Sequence, residues 1–298
     1  MAQATANGIQ IEYDTFGDRS GRPLLLVMGL GAQMIAWDPE FCELLAERGH
    51  YVIRYDNRDV GLSTKFESAG PPNVAAAMAA SQAGEKVETA YTLSDMAGDG
   101  FGLLDALEIP RAHIAGASMG GMIVQQMAIE RPDRVLTMTS IMSTTGNPAL
   151  PPAKPEAMAR LLVPPPTERE AAIEHRVMTS KVIGSVPEVI DEDRLRRLAA
   201  EAYDRSFYPE GMGRQLVGIV ASGPRHEKLR EVRVPTLVIH GEIDPLVPLE
   251  GGKDTAASIP GAQLLVIEGM GHDLPAAYWG RIVDAISAHT AQAATSSK

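Results

Sequence analysis

Three residues far apart in the chain could together activate a hydroxyl. The first is Ser118, which stands between Gly116 and Gly120 in the run AHIAGASMGGMIVQ (112–125). A strand-like apolar stretch leads in and a helical period leads out. In that context G-x-S-x-G marks a nucleophile lifted clear of a sheet on a sharp strand-to-helix turn. The neighbours two residues away must be small, because larger side chains would collide across the turn. A serine hydroxyl is a weak nucleophile at neutral pH until a base takes its proton. Histidine, with its ordinary pKa near the working pH, is the side chain suited to that task.

The chain has seven histidines. His113 falls inside a predicted strand, His50 at a helix-to-strand connection, and His175 and His226 in or beside a helical insertion. His289 lies near the end of the chain, and His240 ends an apolar strand, where a core or supporting role is expected. His272, in EGMGHDLP, follows a strand end on a glycine-flanked loop, so it can swing over the strand tips towards Ser118. An imidazole that becomes positive needs a carboxylate to fix its tautomer and stabilise its charge. Asp244, in HGEIDPLVP, directly follows the strand 235–241, although Asp-Pro is also a common turn opener. Glu242 is its competitor, and Asp273 is too close to His272 in sequence to face it. The order Ser118, Asp244, His272 is the one such a triad takes on an α/β sheet. Two backbone N–H groups should also point to where negative charge develops on a substrate carbonyl. Met119, just after the serine, supplies one. Leu30, in VMGLGAQ between Gly29 and Gly31, supplies the other.

The elements that must position these groups are legible as an alternation. Strands are predicted over 8–17, 23–29, 51–57, 112–117, 135–143, 235–241 and 262–269. Helices are predicted over 38–48, 92–109 and 119–131, between 241 and 262, and at the end of the chain. Thr92 with Asp95 opens the second of these helices in a capping pattern. Trp279, Ile282, Val283 and Ile286 share one face of the last. Such alternation predicts an α/β fold, a mostly parallel sheet flanked by helices. Residues 146–225 break the rhythm: they open with PALPPAKP and VPPP and carry helical stretches without a convincing strand. They are expected to form a helical cap inserted between a core of 1–145 and 226–298, over the carboxyl ends of the strands where ligands bind.

The 298 residues carry a net charge of −11 with both signs interspersed, which argues against a nucleic-acid partner. Arg194, Arg196 and Arg197 sit among Asp191, Glu192, Asp193 and Glu201 and are expected to form a solvated helix face. No run reaches the ~18 apolar residues of a membrane span, and the opening MAQATANGIQIEYD does not resemble a secretory signal. The single cysteine, Cys42, cannot form an internal disulfide and is expected in the core. A cytoplasmic protein is expected, with its oligomeric state open between monomer and dimer.

The chain resembles the α/β-hydrolases of the capped serine-hydrolase type through VMGLGAQ, RYDNRDVGLS, GASMGG, GEIDPLVP and GMGH. Within them it is similar to the actinomycete carboxylesterases and anthracycline methylesterases through LLLVMG, VIRYDNRDVGLST and VPTLVIHGEIDP. It departs from many members, which have His-Gly where this chain has Met28-Gly29. The resemblance implies the α/β-hydrolase fold and implies that Asp56 and Arg58 brace the loops around the site. It also implies hydrolysis of small to medium carboxylic esters through an acyl-enzyme, with no metal or organic cofactor. A methylesterase or lactonase acting on a secondary metabolite, a C–C bond hydrolase and a ligand-binding receptor would use the same scaffold. Serine rather than aspartate at 118 argues against dehalogenase or epoxide-hydrolase chemistry. Candidate pocket residues are Gly29, Trp37 and Met142 near strand ends, with Leu161, Leu162, Val163, Met178, Phe207, Tyr208 and Met212 from the insertion.

Overall fold

Eight strands pair into one sheet in the computed structural model, which describes residues 1–295. They are β1 (Ala2–Ala6), β2 (Ile9–Phe16), β3 (Arg22–Val27), β4 (His50–Tyr55), β5 (Ala112–Ala117), β6 (Val135–Ile141), β7 (Thr236–Gly241) and β8 (Gln263–Ile267). The order across the sheet is β1-β2-β4-β3-β5-β6-β7-β8. β2 runs antiparallel to both its neighbours, and every pairing from β4 to β8 is parallel. β5 and β7 are buried at every position, as expected of strands covered on both faces.

Helices Leu93–Ala106 and Met119–Glu130 cover one face. Leu93, Met96, Leu103, Ile123 and Met127 join Leu25, Ile53 and Ile114 of the strands in its core. Helices Pro39–Glu47 and Ala276–Thr295 cover the other, where Phe41, Leu45, Trp279, Ile282 and Ile286 pack on Leu24, Leu26, Val52 and Ile239. Cys42 is fully buried there, and burial pushes its thiol up to about 12. Thr92 caps its helix by donating from its N–H and its hydroxyl to Asp95 Oδ2, both at 2.8 Å.

Two elements were not expected. β1 pairs with β2 through Asn7-Gly8, both at positive φ, a turn that suits the twist of a two-residue hairpin. Its sequence, AQATA, carries too little apolar alternation to mark a strand. Helix Val74–Gln82 (VAAAMAASQ) rests on alanine propensity and an Asn73 side-chain cap, and no apolar stripe marks it. Between β6 and β7 the described residues form helices Pro155–Leu162, Arg169–Ile183, Glu192–Arg205, Pro209–Ser222 and His226–Leu229, with no strand. No helix among the described residues is long and apolar enough to cross a membrane.

Candidate active site

Ser118 sits between the end of β5 and helix Met119–Glu130 with φ 56° and ψ −119°, a backbone that few L-residues adopt. Its N–H donates to Ile141 O at the end of β6 (2.9 Å), and its carbonyl accepts from Ser143 Oγ (2.8 Å). The flanking glycines are sterically required. A Cβ on Gly116 would stand 2.1 Å from Gly120 O, and one on Gly120 would stand 2.0 Å from Val27 O.

The three sequence-predicted side chains converge. His272 Nδ1–H donates to Asp244 Oδ2 at 2.7 Å, which leaves Nε2 to accept from the Ser118 hydroxyl at 2.9 Å. Asp244 and His272 are buried, and Ser118 is half-buried. The second oxygen of Asp244 accepts from the N–H groups of Leu246 (2.9 Å) and Val247 (2.8 Å). The turn-opening role and the charge-holding role of Asp244 are therefore compatible, one oxygen for each. Glu242 is exposed, and its N–H is tied to Ile267 O. Asp273 accepts instead from the N–H and hydroxyl of Ser185 (3.1 and 2.5 Å).

Of the other histidines, His113 has its Nδ1 on Thr137 Oγ1 (2.8 Å), and burial pushes its pKa down to about 3. His240 is fully buried, with a pKa lowered by that burial. Its Nε2–H donates to Val247 O at 2.8 Å and lies 3.8 Å from Asp244 Oδ2, so it supports the turn that holds the carboxylate.

The loop after β3 reaches the nucleophile: a Cβ on Gly29 would lie 3.0 Å from Ser118 Cβ. Gly31 (φ 65°) turns that loop, and its N–H donates to Gln215 Oε1 at 2.8 Å. Between them, the Leu30 N–H finds no acceptor among the described residues. Met119 is buried at the first position of its helix, where the N–H has no intrahelical partner.

The loop at Met28-Gly29 is held by the RYDNRD segment. Asn57 Nδ2 donates to Met28 O (2.9 Å), and Asp56 Oδ1 accepts from the Met34 N–H (2.7 Å). Asp56 also pairs with Arg205 (2.7 Å), and Arg58 makes a two-pronged pair with Asp99 (2.7 and 2.6 Å). Asp56 and Arg58 are both buried, which is not the burial of a surface pair.

Asp59 was not singled out in the sequence, nor were Asn57, Ser143, Arg214 and Gln215. Asp59 accepts from Arg214 Nε (2.9 Å) and the Tyr91 hydroxyl (2.7 Å), and Gln215 Nε2 donates to Arg58 O (2.8 Å). For Asn57 and Asp59 the sequence signal is the density of charge in RYDNRD on a strand end; Ser143, Arg214 and Gln215 carry none. Arg194 departs from the solvated face expected of it: it pairs with Asp38 and lies 4.5 Å above the Trp279 ring.

The candidate pocket residues separate. Met212 touches the loop at Gly31, where an added Cβ would meet its Cγ at 2.9 Å. Met142, at φ 41°, follows β6 and is buried. Trp37 is fully buried and stacked on Phe41 in the core (5.6 Å). Phe207 packs on Tyr203 (4.7 Å), and the Tyr208 hydroxyl accepts from Arg214. Leu161 is half-buried, whereas Leu162, Val163 and Met178 are exposed. Two surface cavities, of about 580 and 490 Å³, lie away from the triad. The larger is lined by Pro71, Pro72, Ala76 and Val217, the smaller by Gln126, Ile129 and Val232. Among the described residues, no three His, Cys, Asp or Glu side chains converge as metal ligands would.

A strained serine at a strand-to-helix turn, facing a buried histidine–aspartate pair at two later strand ends, defines the serine-hydrolase class on an α/β sheet. A family model described as the alpha/beta hydrolase fold matches residues 22–275, and the chain belongs to that family. It is 30% identical over 307 residues to the rhodomycin D methylesterases DauP of Streptomyces sp. (strain C5) and DnrP of Streptomyces peucetius, covering 96% of each chain in both pairs. Among solved structures it resembles the meta-cleavage product hydrolase CumD of Pseudomonas fluorescens IP01 (TM-score 0.78, 21% identity, 98% of both chains covered). It also resembles the enol-lactonase of Burkholderia xenovorans LB400 (TM-score 0.73, 22% identity, 99% and 100% covered).

Proposed function

We propose that this chain is a serine-dependent carboxylic ester hydrolase whose catalytic residues are Ser118, His272 and Asp244. The observation that carries this is the unbroken chain of hydrogen bonds from the Ser118 hydroxyl through His272 to Asp244, at 2.9 and 2.7 Å. In the reading, Ser118 Oγ attacks the ester carbonyl while His272 Nε2 takes its proton, and Asp244 holds the imidazolium that results. The Leu30 and Met119 N–H groups receive the negative charge of the tetrahedral intermediate. His272 then returns the proton to the leaving alcohol, and water releases the acid from the acyl-enzyme by the same route.

Residues 146–225 act as the cap that shapes the substrate site, a role supported by the contacts of Met212 and Gln215 with the Gly31 loop. A narrower reading, hydrolysis of the methyl ester of a polycyclic metabolite, is supported by the 30% identity to rhodomycin D methylesterases along almost the whole chain. A cytoplasmic setting suits a chain whose one cysteine is buried and unpaired.

The test is sustained turnover of p-nitrophenyl butyrate and covalent labelling by a fluorophosphonate, both lost in Ser118→Ala. Labelling elsewhere, or turnover that survives the substitution, would overturn the assignment.

A further inference from the structure

Beyond Met270 the loop that carries His272 leaves the sheet. The Met270 N–H still donates to Ile267 O at the end of β8 (3.3 Å), and Met270 O accepts from the Ile243 N–H (3.1 Å). The next two N–H groups, which set the backbone of the histidine itself, turn to the inserted helices. The His272 N–H donates to Ile183 O (2.7 Å), at the end of helix Arg169–Ile183, and the Gly271 N–H donates to Ser185 Oγ (3.1 Å).

Ser185 also grips the residue after the histidine. Its hydroxyl donates to Asp273 Oδ1 (2.5 Å) and its N–H to Asp273 Oδ2 (3.1 Å). Ser185 is buried, so its N–H, hydroxyl hydrogen and hydroxyl oxygen are all satisfied by the histidine loop. Val186 closes the contact, its N–H donating to Gly269 O at 3.0 Å. The two backbones touch as well. A Cβ on Gly271 would stand 2.1 Å from Gly184 O, and one on Gly184 would stand 2.7 Å from Asp273 Oδ2. Segments packed this closely cannot slide past one another without breaking those hydrogen bonds.

The imidazole between them has little latitude. Its Nδ1 is held on Asp244 at 2.7 Å and its Nε2 on Ser118 at 2.9 Å. A displacement of about 1 Å costs on the order of 100-fold in rate.

We propose that Ser185 and Asp273 are positioning residues for His272, and that the clasp they form lets the inserted helices hold the general base in reach of Ser118. The inference rests on the ester-hydrolase reading and deepens it, because it gives the insertion a part in the chemical rate separate from the shape of the pocket.

Steady-state kinetics on p-nitrophenyl butyrate, normalised to folded protein by circular dichroism, test the clasp. Ser185→Ala and Asp273→Ala are each expected to lower kcat by about 10- to 100-fold with KM little changed, because the lost interaction acts on the base and not on ground-state binding. Asp273→Asn keeps an acceptor for the Ser185 N–H and should retain most of the rate. The downfield proton resonance of His272 Nδ1–H, which reports its bond to Asp244, should broaden or vanish in Ser185→Ala. Folded alanine variants with wild-type kcat, a loss confined to KM, or a resonance unchanged in Ser185→Ala would overturn the inference. Equal losses in Asp273→Asn and Asp273→Ala would overturn it too, since charge and not the clasp would then set the rate. If Ser185→Ala does not fold, the two Asp273 variants decide. Wild-type protein that fails to turn over the ester, or turnover that survives Ser118→Ala, would instead count against the ester-hydrolase reading itself.

Discussion

The strand-end site and the helices between β6 and β7 are held together by different physics. At the site, position is set by backbone and close packing: a strained Ser118, glycines with no room for a Cβ, and Asp244 fixed by two N–H groups. The inserted helices have a small apolar cluster of their own, built on Ile173, Val177 and Ala199. They are bolted to the sheet by buried charge instead, Arg205 to Asp56 and Arg214 to Asp59, with the less buried Arg194 on Asp38. Packing of the first kind tolerates little movement and suits chemistry. Charged bolts let one sheet carry differently shaped helices, provided each arginine finds its carboxylate. Asp56 belongs to both regions, since one oxygen holds the Met34 N–H and the other pairs with Arg205.

That contrast can be broken in graded steps. Asp244→Asn keeps the turn acceptor but supplies the wrong hydrogen-bond pattern to His272. The rate on p-nitrophenyl butyrate should fall about 10⁴-fold with the fold retained; a near-wild-type rate would return Glu242 to consideration. Arg214→Met leaves Asp59 buried and deprived of its main cation. Removing one partner of a buried pair costs about 3–5 kcal/mol, which urea unfolding would read; a loss below about 1 kcal/mol would make the bolt an ornament.

Stability should also depend on pH through the sheet and its flanking helices. Burial depresses His113 to about 3 and lowers His50 and His289 as well. The unfolded chain takes up these protons near pH 6.5 and the folded one only at lower pH, so stability is lost as pH falls below about 7, for His113 down to about 3. For His113 alone the loss by pH 5 is about 2 kcal/mol. A stability curve flat between pH 7 and 5 would contradict the neutral, buried state. Least of all, Arg169→Ala should leave the urea unfolding midpoint essentially unchanged, because its pair with Asp204 is exposed to solvent.

The sequence made the two regions unequally legible. Ser118, Asp244 and His272 could be located because each follows an apolar strand, and strand ends are visible in one dimension. β1 and helix Val74–Gln82 were missed because AQATA and VAAAMAASQ carry no apolar period. In the inserted helices, apolarity was a poor guide to which side chains meet the site. Met212 reaches the Gly31 loop, whereas Leu162 and Met178 are exposed. The contacts that fix these helices are long-range charge pairs, and no local pattern announces the partner of Arg205 or Arg214.

The central claim is that Ser118 carries the acyl group between attack and hydrolysis. Rapid mixing with p-nitrophenyl butyrate, an acid quench and mass analysis of the peptide holding Ser118 tests it directly. A butyryl group on Ser118 that forms and decays at rates compatible with turnover is the predicted result. Steady release of product with Ser118 never acylated would contradict the account.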